Sequence, residues 1–77
     1  MHLEVITPDA KLFEGEVSSV IAPAVDGYLG ILNDHAPMIS TLKKGEMTII
    51  SNGKEQSIQI NGGVLEVSNN VISVLAD

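Results

Sequence analysis

The sequence has no cysteine, no tryptophan and no arginine, and it has one tyrosine and one phenylalanine. Without cysteine there is neither a disulfide framework nor a thiolate metal site. Four lysines stand against ten acidic residues, for a net charge of −6 at pH 7. That balance excludes the clustered basic surface that a nucleic-acid backbone requires. The scarcity of aromatic rings removes the stacking platforms of a carbohydrate binder. No apolar run approaches the roughly 18 residues of a membrane-spanning helix. Met1-His2-Leu3-Glu4 lacks the basic-then-apolar order of a secretory signal. Also missing is helical spacing of apolar residues over three turns.

What remains is a chain of 77 residues, 44% of them hydrophobic. That suits a single domain over residues 1–77 with a folded surface of about 4,500 Å². Val, Ile and Thr together supply 20 residues, and seven Gly and three Pro punctuate them at short intervals. β-branched residues favour pleated, half-buried surfaces, so the pattern predicts an all-β fold of short strands. The expected strands are His2–Thr7, Lys11–Phe13, Glu16–Ala24, Tyr28–Leu32, Met38–Leu42, Glu46–Ser51, Glu55–Ile60, Val64–Ser68 and Val71–Ala76. Thr7-Pro8-Asp9-Ala10 reads as a type I turn, with Pro at its favoured second position.

Two turns allow register to be derived. Asn52-Gly53 is a strong signal for a type I′ hairpin. Counting outward pairs Ser51 with Lys54, Thr48 with Ser57, and Met47 with Ile58. Asn69-Asn70 can form a similar turn, since Asn tolerates the left-handed region. It pairs Val67 with Ile72 and Leu65 with Val74 on one face, and Glu66 with Ser73 on the other. The same count places Val64 and Leu75 on the polar face, Ile6 in phase with His2 and Glu4, and Ile50 in phase with Thr48. Such off-phase apolar residues mark either a corner buried on both faces or a patch kept for a partner.

A catalytic constellation is not apparent. His35 follows Asp34, but adjacency supplies neither a nucleophile nor an orienting group. The acidic residues are scattered and form no calcium loop. Gly27-Tyr28-Leu29-Gly30 lacks the spacing and the following helix of a phosphate loop. A small ligand-binding sandwich and a hydrolase built on His35 remain as alternatives to a docking module. The loop DGYLGILNDHAPMI, residues 26–39, mixes turn formers with exposed-prone apolar residues, a composition suited to an interface.

That loop, with HLEVITPD, LFEGEV, LKKG (Leu42 to Gly45), INGGVLEV and VISVLAD in order, spans nearly the whole chain. The series resembles the N-terminal β-sandwich domain of the epsilon subunit of F-type ATP synthases. The resemblance implies a β-sandwich of two sheets and about ten short strands. It implies a non-catalytic subunit of the rotating central stalk, bound to the gamma subunit and the c-ring within the remainder of the complex. The location would be peripheral, on the cytoplasmic face of the bacterial inner membrane. Carried over by position, c-ring contacts fall on Asp26, Gly27, Tyr28, Leu29 and Gly30, and gamma contacts on Thr7, His35, Pro37, Met38 and Ser40. The family commonly has an acidic residue at the position of Tyr28, so here Asp26 or the tyrosine ring and hydroxyl would take that contact. Many members continue into a two-helix hairpin beyond the position of Asp77, so nucleotide binding is not carried over. No cofactor, metal or direct nucleotide binding is expected.

Overall fold

The computed structural model describes residues 1–77. It holds seven strands and no helix: β1 His2–Ile6, β2 Lys11–Glu16, β3 Ser19–Ala24, β4 Gly27–Leu32, β5 Met38–Ser51, β6 Lys54–Ser68 and β7 Val71–Ala76. They form one hydrogen-bonded ladder in the order β2-β1-β7-β6-β5-β3-β4. Neighbours are antiparallel except β1 and β7, which run parallel.

The strand count is lower than expected because two pairs of segments fuse. Met38–Leu42 and Glu46–Ser51 become β5, and Glu55–Ile60 and Val64–Ser68 become β6. The register between them never breaks: Leu42 pairs with Gly63 and Lys44 with Asn61. What changes is the inward face. In β5, Met38, Ser40 and Leu42 turn inward, and then Met47 and Ile49. In β6, Ile58 and Ile60 turn inward, and then Leu65 and Val67. Both strands switch from one parity to the other at the same level, so the ribbon rolls over and folds back on itself. Gly62 and Gly63 allow this, with φ of 117° and 138°. A Cβ at Gly63 would lie 2.2 Å from the carbonyl oxygen of Leu75, so no other residue fits the crossing.

The fold-back places the inner faces of both halves around one core of 16 buried apolar residues. No polar side chain is buried. The total surface of 4426 Å² agrees with the value expected from chain length.

Both asparagine turns form as read. Asn52, Gly53, Asn69 and Asn70 all have positive φ, and every derived pairing is present. The expected strand Glu16–Ala24 is divided, with Glu16 ending β2. The division follows from hydrogen bonding, because Val17 N–H donates to Met1 O and Ser18 N–H to Ile50 O, carrying the chain between layers. The turn at Thr7 closes through its side chain. Thr7 Oγ1 accepts from the N–H of Asp9 at 3.2 Å and of Ala10 at 3.0 Å.

Candidate functional site

The fold-back makes two layers: β2, β1, β7 and the Gly63–Ser68 and Met38–Leu42 halves of β6 and β5 form the first, and β3, β4 and the remaining halves of β5 and β6 form the second. Three outward rows cross the first layer. The middle row runs Glu14, Glu4, Ser73, Glu66, Ile39, and is mostly acidic. Lys11 Nζ bonds to Glu14 and lies 3.5 Å from Glu4. His2 stands between carboxylates, with its two ring nitrogens each 3.2 Å from Glu14 and Glu16. The hydrogen bond from Lys11, then the hydrogen bond from His2 and the charge of Lys11, hold Glu14 below its ordinary value, while Glu14 raises Lys11.

The next row is different. It runs Lys11, Ile6, Leu75, Val64, Thr41 across five strands. Leu75 is 57% exposed and Val64 41%. Beside them, Ile6, Thr7, Pro8, Leu75 and Ala76 line an open groove of about 220 Å³. A second open groove, at the far end of β5 and β6, is lined by Pro37, Met38, Ile39, Glu66, Val67 and Ser68. Ile39, 72% exposed, is the most exposed large apolar side chain. Of the off-phase residues, Val64 and Leu75 therefore form surface, Ile6 is half-buried and lines the groove beside Leu75, and Ile50 is half-buried.

The second layer carries its own apolar surface, on β3 and β4. Ile21, Tyr28 and Leu32 are exposed there, and Val25 stands at the hairpin tip. Leu32 falls in the segment 26–39 read from the sequence as suited to an interface, whereas Ile21 was not singled out. Ile21 sits in a short apolar run, Val20 to Val25, in which no polar alternation marks a face. Tyr28 pairs across the ladder with Pro23 and leans toward Gly45, where a Cβ would lie 3.7 Å from its hydroxyl.

The candidate contact residues separate accordingly. Asp26, Gly27, Tyr28, Leu29 and Gly30 form the tip and the adjoining half of β4. Thr7 lies at that same end of the molecule, one residue past the Ile6–Leu75 pair. His35 and Pro37 lie at the opposite end, in the β4–β5 loop, where Asp34 N–H donates to Asn70 Oδ1 at 2.6 Å and Asn70 Nδ2 to Asp34 Oδ1 at 2.9 Å. Met38 starts β5 and packs against the core. Ser40 faces inward opposite Leu65. Thr7 is therefore not brought together with the other four residues. His35 Nδ1 lies 2.8 Å from the carbonyl oxygen of Ala36, a local contact with no nucleophile beside it. No group of three His, Asp or Glu side chains is arranged so that it could hold a metal ion.

Comparison with known proteins adds to this geometry. The family model described as "ATP synthase, Delta/Epsilon chain, beta-sandwich domain" matches residues 1–77. The ATP synthase epsilon chain of Desulforamulus reducens is 43% identical over 76 residues, covering 99% of this chain and 58% of that relative. The epsilon chain of Chlorobium limicola is also 43% identical, with 97% of this chain and 86% of the relative covered. Against most such relatives the chain spans little more than half their length. Among solved structures, one of the Euglena gracilis mitochondrial ATP synthase (OSCP/F1/c-ring) contains a chain that superposes with a TM-score of 0.89 at 22% identity, over 96% of this chain and 48% of that one.

Proposed function

The chain belongs to the ATP synthase delta/epsilon β-sandwich family, and from that premise we propose that it is a non-catalytic subunit of the central stalk. It docks on the gamma subunit and the c-ring and helps couple ion-driven rotation to ATP synthesis. In a bacterium it is peripheral to the inner membrane, on the cytoplasmic face. The observation that carries the reading is the excess of apolar surface on a fully formed sandwich: Ile39, Val64, Leu75, Tyr28 and Leu32 stay exposed although the core is complete. Nothing about the fold requires them outside, and patches of this kind mark interaction surfaces.

The two ends suit different partners. The tip from Asp26 to Gly30 offers a small acidic and aromatic contact for the c-ring, with Asp26 or Tyr28 in place of the acidic residue common in the family. The opposite end, with His35, Pro37 and Met38, offers the groove beside Ile39 for gamma. Thr7 has a role inside its own turn, so its contact is made through the turn as a unit.

Co-expression with the gamma subunit and c-ring subunit of the same organism tests this. A complex is expected to co-purify. Ile39→Asp, at a fully surface position, should release gamma while the variant keeps its folded spectrum. Failure to retain either partner overturns the proposal.

A further inference from the structure

The strand order ends on β2 and β4, which pair on one side only along their whole length. Two shorter stretches also pair on one side only: Met38–Ser40 of β5, three residues behind Pro37, and Lys54–Asn61 of β6, charged at Lys54 and Glu55. Free edges invite pairing with other chains, and proteins guard them with charge, proline or irregularity. β2 reads KLFEGE, is charged at Lys11, Glu14 and Glu16, and has a register shift opposite Val5 and Ile6. β4 reads GYLGIL, with no charge, no proline and no break in register.

The pairing shows which backbone groups are free. The β3–β4 hairpin closes on Ala24 and Gly27 around the two residues Val25 and Asp26, so that pair is hydrogen-bonded. Val25 N–H turns the other way, to Thr41 O at 3.0 Å. Antiparallel ladders alternate. Gly27, Leu29 and Ile31 therefore address β3, and Tyr28, Gly30 and Leu32 direct their N–H and C=O groups to the free edge. A Cβ at Gly30 would meet nothing within 4 Å, which leaves a gap between two exposed side chains, Tyr28 and Leu32.

Charge selects the occupant. Exposed Asp26 and Asp34 bracket the strand at its two ends. A second copy pairing antiparallel through β4 would set Asp26 of one chain beside Asp34 of the other, twice, between molecules of charge −6. A strand with basic ends meets the opposite situation. We propose that the free edge of β4 accepts an extended, uncharged segment of a partner protein flanked by Lys or Arg, pairing main chain to main chain at Tyr28, Gly30 and Leu32. The basic residues would stand about seven positions apart, at ~3.3 Å per residue. This rests on the edge and its flanking charges alone and does not depend on the proposed place in the central stalk.

The test uses the 77-residue chain and a capped probe peptide, Lys-Thr-Val-Thr-Val-Thr-Val-Lys, with a Glu-flanked counterpart. Amide exchange is followed by NMR. At saturation the Lys-flanked peptide should slow exchange at Tyr28, Gly30 and Leu32 by about tenfold or more. The Glu-flanked peptide should bind about tenfold more weakly, and added salt should narrow the difference. Gly30→Pro removes an outward N–H and no ladder bond, so it should abolish binding. N-methylation of the peptide at alternate residues should do the same from the other side, independent of the variant's folding. The proposal is overturned if those amides stay unprotected at millimolar peptide, if both peptides bind equally, or if neither blocking change has an effect. Protection that grows with protein concentration alone, which would mean pairing with a second copy, also overturns it.

Discussion

Lys11 is the most engaged of the four lysines. Its ammonium bonds to Glu14 on its own strand and approaches Glu4 on β1, so it neutralises part of an otherwise acidic face. Glu14 is held below its ordinary value by Lys11 first and then His2, and Lys11 is raised by Glu14. The signs set two windows. A lowered carboxylate contributes stability that is full above the ordinary carboxylate range and is lost as pH falls through the folded value. A raised amine contributes stability that is full below the ordinary lysine range and is lost as pH rises through the folded value. All these groups are exposed, so the effect is small and sensitive to salt. Lys11→Met should therefore lower the urea midpoint slightly near neutrality and not at all well below the ordinary carboxylate pKa of about 4. Urea titrations of both proteins at a series of pH values check this. An equal difference at acid and neutral pH would contradict it.

At the scale of elements, the Asn69-Asn70 turn does more than reverse the chain. Asn70 exchanges two hydrogen bonds with Asp34, one from the backbone and one to the carboxylate, and its carbonyl accepts from His2 N–H at 2.9 Å. The turn thus ties the β4–β5 loop to β1. Asn70 and Asp34 both hold left-handed φ, at 61° and 65°. Asn70→Ala removes the two side-chain bonds and strains the turn, and should cost about 1–3 kcal/mol. The cost should appear locally, as faster amide exchange at Asp34; unchanged exchange there would sink the assignment. Much at this scale was legible in advance. Two-residue turns fix register by counting, and both asparagine hairpins paired as read. The fusion of four segments into β5 and β6 was not legible. Leu42 to Gly45 and Asn61 to Gly63 look like turns in isolation, and only their pairing with each other keeps the ribbon whole. The free edge of β4 was hidden for a related reason, since strand order depends on which distant segments meet.

Across the whole molecule, the question is why so small a sandwich leaves large apolar side chains in water. An underfilled core is not the reason, because Leu3, Val5, Val20, Ile31, Met47, Leu65, Ile72 and Val74 are sealed completely. Nor is the surface unusually large for the chain length. The exposed residues are surplus to folding, and neighbouring leucines make the contrast measurable. Leu65 on β6 is fully buried, and Leu75 on the adjacent β7 is 57% exposed. Leu65→Ala should cost about 2–5 kcal/mol, as truncations in closed cores do. Leu75→Ala removes surface already largely in water and should cost no more than about 1 kcal/mol. The proposed docking on gamma and the c-ring predicts the reverse order for binding. Leu75→Ala should weaken complex formation in proportion to the apolar area it withdraws, while Leu65→Ala, assayed below its own unfolding temperature, leaves the surface chemistry unchanged. Thermal unfolding and binding measured on the same two variants separate the roles. Leu75→Ala proving as destabilising as Leu65→Ala, with binding unchanged, would make that row part of the core and remove the surface argument.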